Sequence, residues 1–288
     1  MTLLSTIAFD VDVLARSSIV HREDYSALGT DTMALFRREK IITPTGAEAL
    51  VPIVSGSSFR GVLRRIGEQL TAAVLNYEGG LPVPAAHLLS NGGRLAKSAR
   101  PLTDEQERTL KTLLPQIALF GGAASGRIMT GLLAVGKVLP EIAELAHILP
   151  RPPGSPLRPA VLGVADEAFT HLSDHRPSTA VAPRTDSDAA TSPLGHFEVE
   201  TLPAGTRLQT WARLSDATPT QTAFLIDVLT VFAERGHLGG RIAAGHGRIS
   251  ATITTRVLRG QLPDPAVDWA ADLAAHRDEA LAALTNLT

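Results

Sequence analysis

Apolar and polar residues alternate along three stretches of the chain. A period of two runs through residues 7–14, residues 197–214 and residues 249–257. Successive side chains of a strand point to opposite faces, so each stretch predicts a half-buried strand. The second stretch is interrupted by a Leu-Pro-Ala-Gly-Thr sequence that predicts a hairpin turn. Two further predictions are a hairpin over 34–54 and a strand over 127–139.

Other stretches carry the spacing of amphipathic helices. From Phe59 to Val74, apolar side chains recur every three or four residues, and a serine that can cap a helix precedes them. The pattern predicts a helix with one buried face. Further helices are predicted over 103–122 after a capping box, 140–149, 218–236 with a proline in its first turn, and 263–288.

Three segments show neither period and are rich in glycine, proline and polar residues. They cover 17–32, 76–102 and 160–195, and we interpret them as loops. Taken in chain order, the remaining elements predict an α+β protein with a ferredoxin-like, RRM-like βαββαβ core and large insertions. Open sheets of this kind often bind RNA.

Composition narrows the class of protein. The chain has 288 residues, of which 44% are hydrophobic, so a sizeable core can form. It contains no cysteine, which excludes disulfides and thiolate metal sites. The first residues lack a basic signal sequence, and no apolar run reaches the length of a membrane span, so we expect a cytoplasmic protein. The net charge of -2 means that any basic surface must come from local clustering of arginine.

The glycine loop, residues 238–249, holds four glycines and two arginines between a predicted helix and a predicted strand. Glycine lets backbone N–H groups approach an anion, and arginine offers a planar fork of donors to phosphate. The spacing of its glycines matches neither the dinucleotide-binding nor the P-loop motif. A nucleotide-binding enzyme is therefore the least favoured of the functions considered for this chain. An ordinary turn between a helix and a strand remains open as the alternative.

The start of the helix near residue 57 is a second candidate anion site. Arg60 and Arg64 are four residues apart and share a helix face, close to the end where N–H groups are unpaired. Gly61 lowers the helix propensity and suggests close approach by another group. The alternative is a capped helix with solvated arginines.

Four stretches, in this order, resemble the RAMP superfamily of CRISPR proteins. They are residues 56–64, Leu119-Phe120-Gly121-Gly122, residues 197–206 and residues 239–248. The resemblance is greatest to the backbone subunit that polymerises along guide RNA in class 1 effector complexes, in its type IV version. It implies one domain over 1–288, shaped like a hand, with these parts: a palm (5–75, 119–139 and 195–260), fingers (76–150), a thumb loop (160–195) and a C-terminal helix (263–288).

The resemblance also implies partners and site residues. Guide RNA would be held through phosphate and sugar, copies of the chain would assemble head to tail beside other effector subunits, and the guide would pair with a complementary target. The chain needs no cofactor or metal for this and no membrane. The residues proposed to contact RNA are His21, Arg37, Ser57, Ser58, Arg60, Arg64, Arg184, Gly240, Arg241, His246 and Arg248.

Catalysis is the main alternative. Type III relatives cut target RNA with an aspartate that follows the first strand; here Asp31 is the weak candidate, because the aligned position reads Leu-Phe-Arg-Arg over 35–38. His21 and His246 would be the acid and base of a metal-independent cleavage, but RNA contact is the favoured role for both. Asp10 and Asp12 share one face of the first strand, and the sequence alone gives them no role.

Overall fold

The computed structural model describes residues 4–22, 33–77, 79–95, 97–98, 100–154, 156–172 and 194–287. The strands are β1 (Ser5–Ala15), β2 (Met33–Ala34), β3 (Arg38–Ile42), β4 (Glu48–Pro52), β5 (Gly122–Ala124), β6 (Arg127–Met129), β7 (Leu133–Val135), β8 (Leu139–Pro140), β9 (Ala165–Leu172), β10 (Leu194–Thr201), β11 (Arg207–Ala217) and β12 (Ile249–Arg259). The helices are α1 (Gly56–Leu75), α2 (Val83–Asn91), α3 (Asp104–Leu113), α4 (Pro115–Phe120), α5 (Pro219–Arg235), α6 (Trp269–Ala275) and α7 (Arg277–Thr285).

The central sheet has the strand order β12–β1–β11–β7, and β8 also pairs with β11. All of these pairings are antiparallel. Along the chain the core elements follow one another as β1, α1, β7, β11, α5 and β12. This is the predicted βαββαβ order, with the first βαβ unit split by an inserted strand, so the ferredoxin-like fold class is confirmed.

One face of the central sheet is covered by α1 and α5. The alternate side chains of β1, including Ile7, Phe9 and Val11, are at most 1% exposed and belong to the main core. The two helices meet through Phe59 and Phe232, whose rings pack edge to face with centroids 5.3 Å apart. Apolar periods of two in the strand and of three or four in the helices therefore meet in one core, as the sequence patterns require.

The opposite face of β1 carries Asp10 and Asp12, and the structure gives both a role. Arg151 donates from Nη2 to Asp12 at 2.6 Å and lies 3.3 Å from Asp10. Arg256 on β12 donates from Nε to Asp10 at 3.0 Å. The two carboxylates thus pair with arginines of a neighbouring strand and of the 151 segment, and they hold that segment against the sheet.

Several predicted element boundaries are wrong, each for a local reason. The predicted loop over 76–102 contains α2, which begins after Pro82. The predicted helix over 103–122 is two helices, because Pro115 disfavours the α conformation at Leu114, whose φ is -121°. In place of the predicted strand over 127–139 there are three short strands, β6, β7 and β8; a single 3-10 turn lies within 140–149, and the terminal helix is divided into α6 and α7.

The predicted hairpin over 197–214 is also wrong, because its two arms join different sheets. β10 pairs with β9 and β2, whereas β11 pairs with β1 and the strands on its other side. The turn itself exists, since Thr206 N–H donates to the Pro203 carbonyl. The predicted loop over 160–195 contains β9, and its residues 173–193 lie outside the described residues. The hairpin predicted over 34–54 is confirmed as β3 and β4.

No helix among the described residues combines the length and the apolar character needed to cross a bilayer.

Candidate nucleic-acid interface

The glycine loop is bonded along one side to the connecting segment, residues 16–22, which follows β1. Gly240 N–H donates to the Val20 carbonyl at 2.8 Å, and Gly247 N–H donates to the same segment at 2.8 Å. The N–H of Arg248 donates to a serine hydroxyl of the segment at 3.0 Å. These bonds fix the path of the loop through main-chain groups, without using the side chains of its arginines.

Two glycines of the loop are required by its packing. A Cβ on Gly239 would lie 2.1 Å from the Val20 carbonyl oxygen, and one on Gly247 would lie 2.3 Å from that of Leu238; both residues have φ near +80°. Gly240 is different, because nothing lies within 4 Å of a Cβ built there. The turn interpretation therefore explains Gly239 and Gly247. The N–H of Gly240 already donates to the Val20 carbonyl and cannot bind a phosphate. The absence of a side chain at Gly240 is then the one feature that favours close approach of an RNA strand.

The arginines of the loop are exposed. Arg241 adopts a left-handed conformation, with φ of +57°, and opens a 3-10 turn. Its guanidinium carbon lies 3.6 Å from the centroid of the Phe169 ring. Arg248 precedes β12 and is exposed at the end of the loop. His246 is more enclosed, with Nδ1 3.0 Å from the Ser18 hydroxyl. The predicted loop residues thus form one group, with two cations facing solvent.

The start of α1 reaches the same connecting segment. Ser55 is the N-cap, and its hydroxyl accepts from the N–H of Ser58 at 3.2 Å. The N–H of Ser55 donates to Nε2 of His21 at 3.1 Å, so that nitrogen is unprotonated. Ser57 is exposed, with its hydroxyl 3.1 Å from that of Ser55. The connecting segment therefore brings the helix start and the glycine loop to one side of the protein.

Arg64 does not belong to this surface. Its side chain is buried, with the residue 8% exposed, and it donates to the carbonyls of Leu88, Phe120 and Gly121 at 3.1, 2.7 and 3.0 Å. Burial, and then the nearby charge of Arg60, lower the pKa of Arg64 to about 10. Arg64 holds the ends of α2 and α4 against α1, so the geometry gives no support to its predicted RNA contact.

Arg60 is likewise turned into the protein. It donates to the Phe120 carbonyl at 3.0 Å and to the Leu133 carbonyl, and burial lowers its pKa. The guanidinium lies 5.7 Å from the centroid of the Phe120 ring. Its donors serve the end of α4 and the start of β7, which leaves the predicted phosphate contact without support from the geometry. Neither alternative foreseen for this helix, an anion site or solvated arginines, describes the pair.

A cleft of about 390 Å³ extends the surface along the other side of the loop. Arg65 of α1 and Arg235 of α5 line it together with His237, and apolar side chains such as Val62 and Ile242 complete the wall. No carboxylate belongs to this lining. Sequence reasoning missed Arg65 and Arg235; the signal was available, because both lie outside the apolar stripes of their helices.

The remaining candidates are placed as follows. Arg37 is half-buried, and its backbone N–H donates to the His21 carbonyl at 2.7 Å. Asp31 and Arg184 lie outside the described residues. Among the described residues, no three His, Asp or Glu side chains are grouped so that they could hold a metal ion.

Comparison with known proteins identifies the family of this chain. The model of the RAMP superfamily matches residues 35–250. A search of the curated proteins finds no relative of this chain. Among solved structures, a chain described as "Type IV-B CRISPR Complex" is 54% identical to this one, with 93% of this chain and 99% of that chain covered and a TM-score of 0.63. The chain therefore belongs to the RAMP superfamily, and the resemblance to its type IV version is confirmed.

Proposed function

We propose that this protein is a guide-RNA-binding backbone subunit of a type IV CRISPR effector complex and that it performs no catalysis. It binds the RNA through phosphate and sugar, and it leaves the bases free to pair with a complementary target. The observation that carries the proposal is the pair of exposed arginines on the glycine loop, next to a cleft that is lined by two further arginines and no carboxylate. Phosphate contacts of this kind hold a strand without reading its sequence.

The charges along this surface support a strand of RNA as the ligand. Arg241 and Arg248 are exposed in the loop, and Arg65 and Arg235 continue the positive charge along the cleft. The chain as a whole is slightly negative, with a net charge of -2, so the clustering is local. A local cationic track on a near-neutral protein attracts a polyanion to one face only. Ser57 and Ser58 add hydroxyl donors at the start of α1.

The mode of assembly is proposed from the similar solved chain, which is described as a type IV-B CRISPR complex. Copies of this chain stack head to tail along the RNA, beside other effector subunits. Within each copy, the palm consists of 5–75, 119–139 and 195–260, with fingers over 76–150 and a thumb over 160–195. In the C-terminal segment, α6 packs against α1 and α7 packs against α3.

Purified protein mixed with single-stranded RNAs of increasing length tests this function. The mass of the complex, measured by light scattering after gel filtration, should increase with RNA length, and electron micrographs should show elongated particles. One protomer per RNA at every length would contradict the proposed coating.

The non-catalytic part has its own test. The loaded complex is incubated with complementary RNA and magnesium, and the target is then examined on a denaturing gel. Intact target is expected. Cleavage that disappears in Asp31→Ala would instead establish the metal-dependent alternative.

A further inference from the structure

A stack of three side chains joins the glycine loop to the β9–β10 pair. The guanidinium carbon of Arg241 lies 3.6 Å from the centroid of the Phe169 ring. Phe169 in turn stacks on Phe197, with centroids 5.6 Å apart and an interplanar angle of 17°. The two phenylalanines are directly opposite one another in β9 and β10. The aromatic pair therefore forms a platform under Arg241.

A second contact ties the same loop to the same strand. His246 lies 3.8 Å from a carboxylate oxygen of Glu167 on β9, and it also contacts the Ser18 hydroxyl. Glu167 and Phe169 are two residues apart, so their side chains point to the same face of β9. The loop is thus held against β9 at two points, and the position of Arg241 depends on a strand that belongs to a different sheet.

The stack leaves the hydrogen-bonding groups of Arg241 unused. A guanidinium that packs on an aromatic face keeps its N–H donors in its own plane, outside the stacked contact. Arg241 is exposed, and its guanidinium has no hydrogen-bond acceptor among the described residues. An arginine fixed in this way presents several donors at a defined place before any ligand arrives. Less side-chain freedom is then lost on binding.

We propose that Phe169, supported by Phe197, is a positioning residue that holds the Arg241 guanidinium ready for a phosphate of the RNA. This inference rests on the proposed function, because RNA supplies the phosphate. It assigns to β9 and β10 an indirect part in phosphate binding, because Phe169 acts on the RNA only through Arg241. It also predicts that lysine cannot replace Arg241, since an ammonium group has no planar fork to stack and direct.

The test measures binding of a fluorescent single-stranded RNA of mixed sequence to wild type and to the variants Phe169→Leu, Phe169→Tyr, Arg241→Ala and Arg241→Lys. Phe169→Leu should weaken binding about fivefold, which corresponds to the free energy of one exposed cation–π contact. Phe169→Tyr keeps an aromatic ring and should bind like wild type. Arg241→Lys should bind as weakly as Phe169→Leu. Adding Phe169→Leu to Arg241→Ala should cause no further loss, because the platform acts through the arginine.

Two results with variants that carry Phe169→Leu would overturn the inference. One is wild-type affinity in Phe169→Leu together with weak binding in Arg241→Ala; the other is independent, additive losses in the double variant. Thermal unfolding of each variant identifies any that does not fold, and Arg241→Lys then decides the question with Phe169 intact: wild-type affinity in that variant contradicts the platform. Absence of RNA binding by the wild type would refute the proposed function instead, so the two failures are distinguishable.

Discussion

The start of α1 and the glycine loop both carry a pair of arginines beside glycine, and the protein uses the two pairs in opposite ways. Arg60 and Arg64 point inward and donate to main-chain carbonyls at the ends of other elements. Arg241 and Arg248 point outward from a loop whose own main chain is already bonded. The surroundings of the two pairs differ. Helices α2 and α4 cover the side of α1 that Arg60 and Arg64 occupy, whereas Arg241 and Arg248 remain exposed, with Arg241 resting on the Phe169 ring.

The comparison shows how an arginine can be buried at acceptable cost. A charged side chain taken out of water must have its donors satisfied, and Arg64 has three carbonyl acceptors, two of them at the C-terminal end of α4. The C-terminal end of a helix carries partial negative charge, which suits a cation. Arginine at the start of a helix is therefore as consistent with clamping other helix ends as with binding an anion.

Of the variants that test the difference between inward and outward arginines, Arg64→Ala should have the largest effect. Three carbonyls would each lose a hydrogen bond inside the protein, and only that of Phe120 would keep an arginine donor, from Arg60. We therefore expect a loss of about 3–4 kcal/mol in the free energy of unfolding. Denaturant titration measures it. The matched control is Arg65→Ala on the exposed side of the same helix, which should change stability by less than about 0.5 kcal/mol while weakening RNA binding. Equal stability of the two variants would remove the distinction between an inward and an outward arginine.

The neighbouring glycines of the loop give a second matched pair. Gly239→Ala forces a side chain into a left-handed conformation and against the Val20 carbonyl, so we expect about 2–3 kcal/mol of destabilisation. Gly240→Ala meets nothing within 4 Å and should be neutral within about 0.5 kcal/mol. Thermal melts of both proteins give the answer. Comparable destabilisation by Gly240→Ala would show that the loop packs differently from its described path.

A smaller effect is expected from the ion pair that joins β10 to β3. Burial alone would raise the pKa of Glu200, but hydrogen bonds from Arg38 and from the N–H of Phe36, with the charge of Arg38, outweigh it and lower the pKa. A lowered pKa in the folded state means that the stabilisation is present above the unfolded pKa and is lost as pH falls through the folded value.

Glu200→Gln should therefore be less stable than wild type by about 1–2 kcal/mol at neutral pH. The gap should close as the pH falls below about 4.3, where the carboxylate of the unfolded chain takes up a proton. Urea titrations at several pH values measure the gap. A difference that stays constant down to the lowest pH would mean that the charge of Glu200 contributes nothing.

Local signals made much of the fold predictable. The alternation in β1 and the apolar stripe of α1 can be recognised from residues that lie close together in the sequence. The capping box at Thr103 and the proline that follows Thr218 mark two helix starts. These features depend on a few consecutive residues, so their positions agree closely with the structure.

Pairing between distant segments was not predictable in the same way. The turn at 202–206 joins two strands that look like a hairpin, yet β10 finds its partners in β9 and β2. The role of Arg64 was missed for a related reason: α2 lies in a proline- and glycine-rich stretch that reads as a loop, and without α2 nothing predicts that this side of α1 is covered. Phe169 gave no signal at all, since its partner Arg241 is far away in the chain.

The salt dependence of RNA affinity tests the central claim most directly, namely that the outward arginines bind phosphate. We expect Arg241→Ala/Arg248→Ala to bind more weakly and to flatten the plot of log affinity against log salt by about 1.4 units, at about 0.7 for each phosphate contact to a single strand. Affinity should be equally reduced for RNAs of different sequence. A slope equal to that of wild type would contradict the account.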